Sequence, residues 1–281
     1  MARYQVILAY DGSEYLGFQR QASGSQGRTV QGDVEAALRR LGWQGWAILA
    51  AGRTDTGVHA AGQVIAFDLE WAHAPEALQA ALNANLPPAV AARRVTLSAP
   101  DFHPRYDATA RCYRYRLFCQ PVRDPLSERY AWRVWPAVEL QTLQQTAAWL
   151  SGEHDFAAFG SPPRAGGSSV RTVYRASWQA QDGELWFEIC ANAFLFRMVR
   201  RLVGLQVQIG QGLLPPERMR QVIEQPPAEP VQALAPAHGL ALMKVLYEQD
   251  KLRESLESDS TTIQSGSGAE TWPTSGVDER G

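Results

Sequence analysis

The chain has 281 residues, enough to bury a substantial core in one large domain or two fused small ones. No apolar run approaches the length that spans a bilayer, and Met1-Ala2-Arg3-Tyr4 leads straight into an alternating strand without a signal-peptide pattern. The formal charge of −2 is unevenly spread: seven acids and three bases lie from residue 250 onward, which leaves the body slightly positive, and 25 of the 27 basic residues are Arg.

Residues 3–10 alternate as a strand. Residues 11–28 form a long Gly-, Ser- and Gln-rich connection, a length that marks either a functional loop or disorder. Thr29 can cap a helix with Val30, Val34, Leu38 and Leu41 on one face, stopped by Gly42. Two apolar runs follow, Trp46 to Ala51 and Val64 to Leu69, and both predict strands. Pro75 suits a helix start, with Ala77, Leu78, Ala81 and Leu82 as its stripe. A strand near 90–99 completes the order βαββαβ, the split pattern of ferredoxin-like folds.

The second half repeats that order. A strand is predicted from about Thr109 to Cys119, then a helix from about Leu140 to Leu150. A flexible loop at 160–169 follows, then strands near 170–180 and 184–191. A helix from about Phe194 to Gly210 comes next, then a shorter one after Pro215. Leu240 to Tyr247 is the last strand. The expected fold is α+β: two ferredoxin-like βαββαβ halves with a central antiparallel sheet and a cleft between them. The expected divisions are 1–105, 106–249 and an acidic tail, 250–281, too poor in apolar residues to order itself.

Cys112, Cys119 and Cys190 show neither a disulfide framework nor a CxxC zinc pattern. His59, His73, His103, His154 and His238 show no ligand spacing. The expectation is a reduced cytoplasmic protein with no structural metal. Between Arg93 and Arg133, nine bases stand against four acids. Arg offers a planar fork for phosphate and stacks on bases, which suits a polyanion partner, although an Arg-rich solvated face has the same composition.

Between the runs at 46–51 and 64–69 stands Gly52-Arg53-Thr54-Asp55-Thr56-Gly57-Val58-His59. Thr-Asp-Thr-Gly is turn chemistry, because Asp and Thr bond their own backbone and Gly admits positive φ. A carboxylate and a guanidinium are therefore held on a tight connection between buried strands, where chemistry is commonly placed. The bland alternative is an Asx-turn Asp with a solvated Arg. On the strand at 109–119, Tyr113, Tyr115, Leu117 and Cys119 share one face and Cys112, Arg114, Arg116 and Phe118 the other. On the 194–210 helix, Phe194, Leu195, Met198, Leu202 and Leu205 share the apolar face. Arg197, Arg201, Gly204 and Gln208 lie opposite, with Arg200 at the stripe's edge.

The octet resembles the catalytic motif of the TruA family of tRNA pseudouridine synthases. Other segments resemble the family in the same order: Tyr10 to Gln21, Thr29-Val30-Gln31-Gly32, Phe102-His103-Pro104-Arg105-Tyr106, Ala110 to Tyr115, Asn192 to Arg200, and His238-Gly239-Leu240. The resemblance covers roughly residues 3 to 247. It implies the pseudouridine synthase fold, with Asp55 as nucleophile, Arg200 as its ion-pair partner and Arg53 as the residue that flips the target base. It also implies that Tyr113 stacks on the uracil. Phe102, His103, Arg105, Tyr106 and Leu240 would contact substrate. Pro104 stands where a smaller residue is commoner in that loop. The implied activity is isomerisation of uridines 38, 39 and 40 in the tRNA anticodon stem-loop, without cofactor, by a homodimer that lays each tRNA across both subunits. Two rival readings are a non-catalytic RNA-binding module, disfavoured by the lack of an RNP1-like aromatic run, and a small-nucleoside hydrolase using Asp55, disfavoured by the extended Arg surface.

Overall fold

A computed structural model describes residues 1–21, 27–164, 166–227 and 229–248. Met1–Leu246 form one compact unit; Tyr247–Gly281 form a second, of which Tyr247 and Glu248 are described. The tail expected at 250–281 lies outside the described residues, as do residues 22–26 of the first long connection and Ala165 of the second.

In the first half, β1 (Ala2–Tyr10) buries Tyr4, Val6, Leu8 and Tyr10 by strict alternation. α1 (Val30–Arg40) starts where Thr29 accepts a hydrogen bond from the Gly32 N–H at 3.2 Å, satisfying one of the free donors of the first turn. β2 (Leu49–Ala50) and β3 (His59–Leu69) flank the octet, α2 (Pro75–Asn85) begins at its proline, and β4 (Val90–Leu97) closes the unit. In the second half come β5 (Ala108–Cys119), β6 (Trp132–Val134), α3 (Leu140–Ala148) and β7 (Gly152–Asp155). They are followed by β8 (Val170–Gln181), β9 (Glu184–Ala191), α4 (Met198–Gly210), α5 (Glu217–Glu224) and β10 (Leu240–Tyr247).

Strand order confirms the two ferredoxin-like halves. β1 lies antiparallel between β3 and β4, and β2 pairs with the outer side of β3, giving β4-β1-β3-β2. The second half runs β10-β5-β9-β8, the same arrangement of first, second, third and fourth strands. β10 joins β3 in parallel, with Ala241 opposite His59 and Leu242 opposite Ala60. The result is one ten-stranded, mostly antiparallel sheet, extended by β7 on β8 and by β6 on β5. No helix among the described residues is long and apolar enough to cross a membrane.

Three details depart from expectation, and a fourth concerns a face of α4 whose exposure the residue pattern left open. The run at 46–51 is a strand only at Leu49–Ala50, and Trp46 is 85% exposed. α4 starts at Met198, four residues later than its periodicity suggests. Arg197 sits at φ 62°, in the left-handed region, and the Phe196 N–H bonds the Ser161 carbonyl at 3.0 Å instead of entering the helix. The face of α4 carrying Arg201 and Gly204 is covered: the Arg201 Nε donates to the Val231 carbonyl at 3.1 Å, and Gly204 is buried. Finally, Cys112 and Cys190 form a disulfide, contrary to the reduced state expected. They are directly opposed on β5 and β9, with Cα atoms 4.1 Å apart, while Cys119 is free.

Two side chains tie distant segments to this frame. The Arg111 guanidinium on β5 donates to four carbonyls: Ala108 at 3.2 Å, Asn192 at 3.0 Å, Ala51 at 3.2 Å and Arg105 at 2.6 Å. One planar fork thus holds the entry to the octet, the 102–106 loop and the start of the connection to α4. Asp11, at the end of β1, accepts from Ser13, from Arg129 at 2.8 Å and from the Tyr130 hydroxyl at 2.9 Å. Burial pushes the Asp11 carboxyl up, but these donors outweigh it and hold the group below the usual carboxylate range.

Arg111→Met is expected to lower the melting temperature by about 4–8 °C, about 2 kcal/mol, because several carbonyls lose their donor at once; a thermal melt checks this. Asp11→Asn is expected to lower it by about 2–4 °C at pH 7. A depressed folded-state carboxyl stabilises above the unfolded value near 4 and loses that contribution below it, so the gap to wild type should close as pH falls beneath about 4. A gap unchanged down to pH 3 would contradict the assignment.

Candidate active site around Asp55

The octet is pinned from outside at Gly52, Thr54, Gly57 and His59. The Ala51 N–H donates to the Val64 carbonyl at 2.9 Å, and the Gln63 side-chain amide donates to the Gly52 carbonyl at 3.0 Å. The Thr54 hydroxyl, buried, shares a 2.8 Å hydrogen bond with the Tyr10 hydroxyl, and the Thr54 carbonyl accepts from the Phe18 N–H at 3.1 Å. The Gly57 N–H reaches the Tyr15 carbonyl at 3.4 Å, and the Val58 N–H donates to the Asp55 carbonyl at 3.1 Å, closing the turn. The connection after β1 therefore packs on the octet, with Tyr15 and Phe18 buried. Its glycines are needed there. A Cβ on Gly12 would strike the Val58 carbonyl, and Gly17, at φ 95°, would bring one within 2.8 Å of the Thr54 oxygen.

His59 closes the octet. Its Nδ1 accepts from the Gly12 N–H at 3.0 Å, so the proton sits on Nε2, which donates to the His238 carbonyl at 3.0 Å. That tautomer is neutral. Burial lowers its pKa, against the pull of the Asp11 carboxylate 3.2 Å from Nδ1. The contact with Asp11 is therefore not an ion pair at neutral pH, and His59 serves as a fixed donor and acceptor.

Three polar octet side chains are left out of this web, Arg53, Asp55 and the exposed Thr56. Asp55 is paired across the molecule: Arg200 in the first turn of α4 places Nη1 3.3 Å from its Oδ2, while Nε donates to the Ala235 carbonyl at 2.8 Å. The carboxylate keeps 25% exposure and the guanidinium side chain 12%, so the pair faces an open side. Tyr113 of β5 stands close by. Burial pushes its phenol up to about 12, the Asp55 charge adds to the rise, and Arg111 opposes it. At neutral pH Tyr113 is therefore an uncharged hydrogen-bond donor. Its ring meets Phe194 edge-on at 5.0 Å, a contact of about 0.5–1.5 kcal/mol beyond burial.

The structure thus gathers Asp55, Arg200 and Tyr113. Arg53 is exposed, and its guanidinium has no hydrogen-bond or ion-pair partner among the described residues. The 102–106 loop is attached through the Arg105 carbonyl held by Arg111. His103 organises it: Nδ1 accepts from the Arg105 and Tyr106 N–H groups, and its ring lies 4.2 Å from that of Tyr106, itself 67% exposed. The Phe102 carbonyl accepts from Arg3 at 3.1 Å. Leu240 is buried at the start of β10, in the core cluster that includes Val58 and Tyr115. Sequence reasoning assigned no role to Arg111, Tyr115 or the 235–239 segment. Arg111 and Tyr115 lie inside a segment it did single out.

Known proteins share this chain's pattern. The family described as tRNA pseudouridine synthase matches residues 6–107 and 146–248. The chain is 38% identical over 247 residues to tRNA pseudouridine synthase A of Brevibacillus brevis, spanning 88% of this chain and 100% of that protein. It is 41% identical over 246 residues to tRNA pseudouridine synthase A of Moorella thermoacetica, covering 86% and 98%. With tRNA pseudouridine synthase A of Geobacter sulfurreducens it shares 39% over 251 residues, covering 88% and 100%. Taken with the duplicated fold, these matches mean that the chain belongs to the tRNA pseudouridine synthase family.

Proposed function

We propose that this chain converts uridines 38, 39 and 40 of the tRNA anticodon stem-loop to pseudouridine, with Asp55 as nucleophile and Arg53 as the base-flipping residue. The observation that carries the reading is the Asp55–Arg200 pair at 3.3 Å on a turn held from outside at Gly52, Thr54, Gly57 and His59. The net reaction breaks the N1–C1′ bond, forms C5–C1′, removes a proton from C5 and adds one at N1, so no external oxidant or reductant enters. An ionised carboxylate is needed for attack, at uracil C6 or ribose C1′. A guanidinium beside it favours the charged form. Tyr113 supplies a flat ring against the uracil beside that carboxylate, and its neutral phenol serves as a relay whose oxygen accepts the C5 proton as its own proton passes on.

The uridine has to leave its stack to reach Asp55, at a cost of a few kcal/mol. Arg53 is exposed next to the nucleophile and free to fill the vacated space. Tyr106 and Arg105 offer an aromatic and cationic surface of the kind that contacts unstacked RNA, with the Arg105 guanidinium 5.9 Å from the Tyr106 ring centroid. The resemblance to TruA enzymes supports a homodimer and a cytoplasmic setting, to be checked by sedimentation and fractionation.

The decisive experiment incubates the protein with unmodified tRNA and maps pseudouridine. Asp55→Asn is expected to lower turnover by at least about a thousandfold while melting temperature and tRNA affinity stay near wild type; residual activity within tenfold would remove Asp55 from the nucleophile role. Arg53→Ala is expected to lose most activity on folded tRNA and much less on a substrate whose target uridine is already unstacked, because flipping is then cheapest. An equal loss on both would place Arg53 in the chemical step instead.

A further inference from the structure

We propose that the segment Ala235–Gly239 is a strap that aims the Arg200 guanidinium at Asp55, and that Tyr115 is a positioning residue acting through that strap. The proposal rests on the roles of Asp55 and Arg200 given above. The strap includes a single 3-10 turn, Ala237–Gly239, and its approach from Val231 has no helix or strand of its own. It is held by bonds to its surroundings. The Val231 N–H donates to the Ala158 carbonyl at 2.8 Å, and the Val231 carbonyl accepts from Arg201 at 3.1 Å. The Ala235 N–H donates to the Arg200 carbonyl at 3.1 Å, and the Ala235 carbonyl accepts the Arg200 Nε–H at 2.8 Å. Next along the chain, the Pro236 carbonyl accepts the Tyr115 hydroxyl at 2.8 Å. Beyond it the His238 carbonyl is held by His59 at 3.0 Å.

The guanidinium is planar and its five N–H directions are rigidly related. Fixing Nε–H on the Ala235 carbonyl therefore fixes where Nη1 points. Nη1 meets Asp55 through one contact at 3.3 Å, long for a charge-assisted bond, so the contact with Asp55 alone does little to orient the fork. The position of the Ala235 carbonyl governs it, and the hydroxyl of fully buried Tyr115 holds the adjoining Pro236 carbonyl in place. On the other side, Gly204 lets the strap lie against α4, since a Cβ there would come within 2.7 Å of the Ala233 carbonyl group. Burial raises the Tyr115 phenol well above its ordinary value, so it remains a donor throughout the working pH range.

The test compares wild type, Tyr115→Phe and Gly204→Ala in steady-state pseudouridine formation on unmodified tRNA. Tyr115→Phe keeps the ring and deletes one bond. It is expected to lower kcat about five- to tenfold, the size of one hydrogen bond, with KM for tRNA within twofold. Gly204→Ala pushes the strap off α4 from the opposite side and is expected to give the same split. If Tyr115→Phe does not fold, Gly204→Ala decides alone. Wild-type kcat in both variants overturns the proposal, as does a kcat loss matched by an equal rise in KM. A wild-type enzyme that forms no pseudouridine overturns the functional reading, and this proposal with it.

Discussion

A tight turn inside a protein persists only when its N–H and C=O groups find partners, since each buried orphan costs about 1–3 kcal/mol. The octet Gly52–His59 and its entry at Ala51 meet that demand by borrowing from three places: β3 through Val64 and Gln63, the connection after β1 through Tyr15 and Phe18, and β5 through Arg111, while the Tyr10 hydroxyl of β1 holds the Thr54 side chain. The rest of the site depends on this. With the backbone immobilised, Asp55 needs no side-chain bond within the turn and can present its carboxylate outward. The glycines at 12 and 17 follow from the same constraint, because a side chain at either place would displace the octet's carbonyls.

The second requirement is a cation for that carboxylate, and it comes from the other half of the chain, 145 residues away. The enzyme is an isomerase acting on tRNA, and the Asp55–Arg200 pair is assembled from the repeated halves of one sheet. The octet ends at His59, which starts β3. Opposite His59 on β10 is Ala241, just after Leu240, and the strap that anchors Arg200 runs directly into Leu240. The parallel β3–β10 seam therefore sets the spacing between Asp55 and Arg200, and a one-residue slip there would move both the octet and the strap.

Much of this was legible from residue pattern. Thr29 as a cap, Pro75 as a helix start and the alternation of β1 and β5 each rest on local chemistry, and the βαββαβ order followed from them. What failed depended on distant partners. Phe194, Leu195 and Met198 keep a helical period across Arg197, but periodicity carries no information on φ, and Phe196 is drawn away by Ser161. Cys112 and Cys190 lie 78 residues apart, and only strand register brings them together. Tyr113 and Tyr115 share a face by alternation, which cannot separate a ring beside Asp55 from a hydroxyl committed to a carbonyl 121 residues away. The Arg-rich face of α4 fitted phosphate or water equally well by pattern, because the segment that covers it at Arg201 and Gly204 has no regular structure to predict.

The seam between β3 and β10 also bears on how the chain is made. β3 is complete once Leu69 is synthesised, but its neighbour at His59–Ala60 is a strand that ends at Tyr247. At roughly 5–20 residues per second, that stretch of edge waits on the order of 10–40 s on the ribosome for its partner. An unpaired edge is a template for other chains, and pairing across so long a sequence gap is slow. The N-terminal half thus folds around an open edge, and nascent chains crowded on one message have that interval in which to pair with each other before β10 arrives.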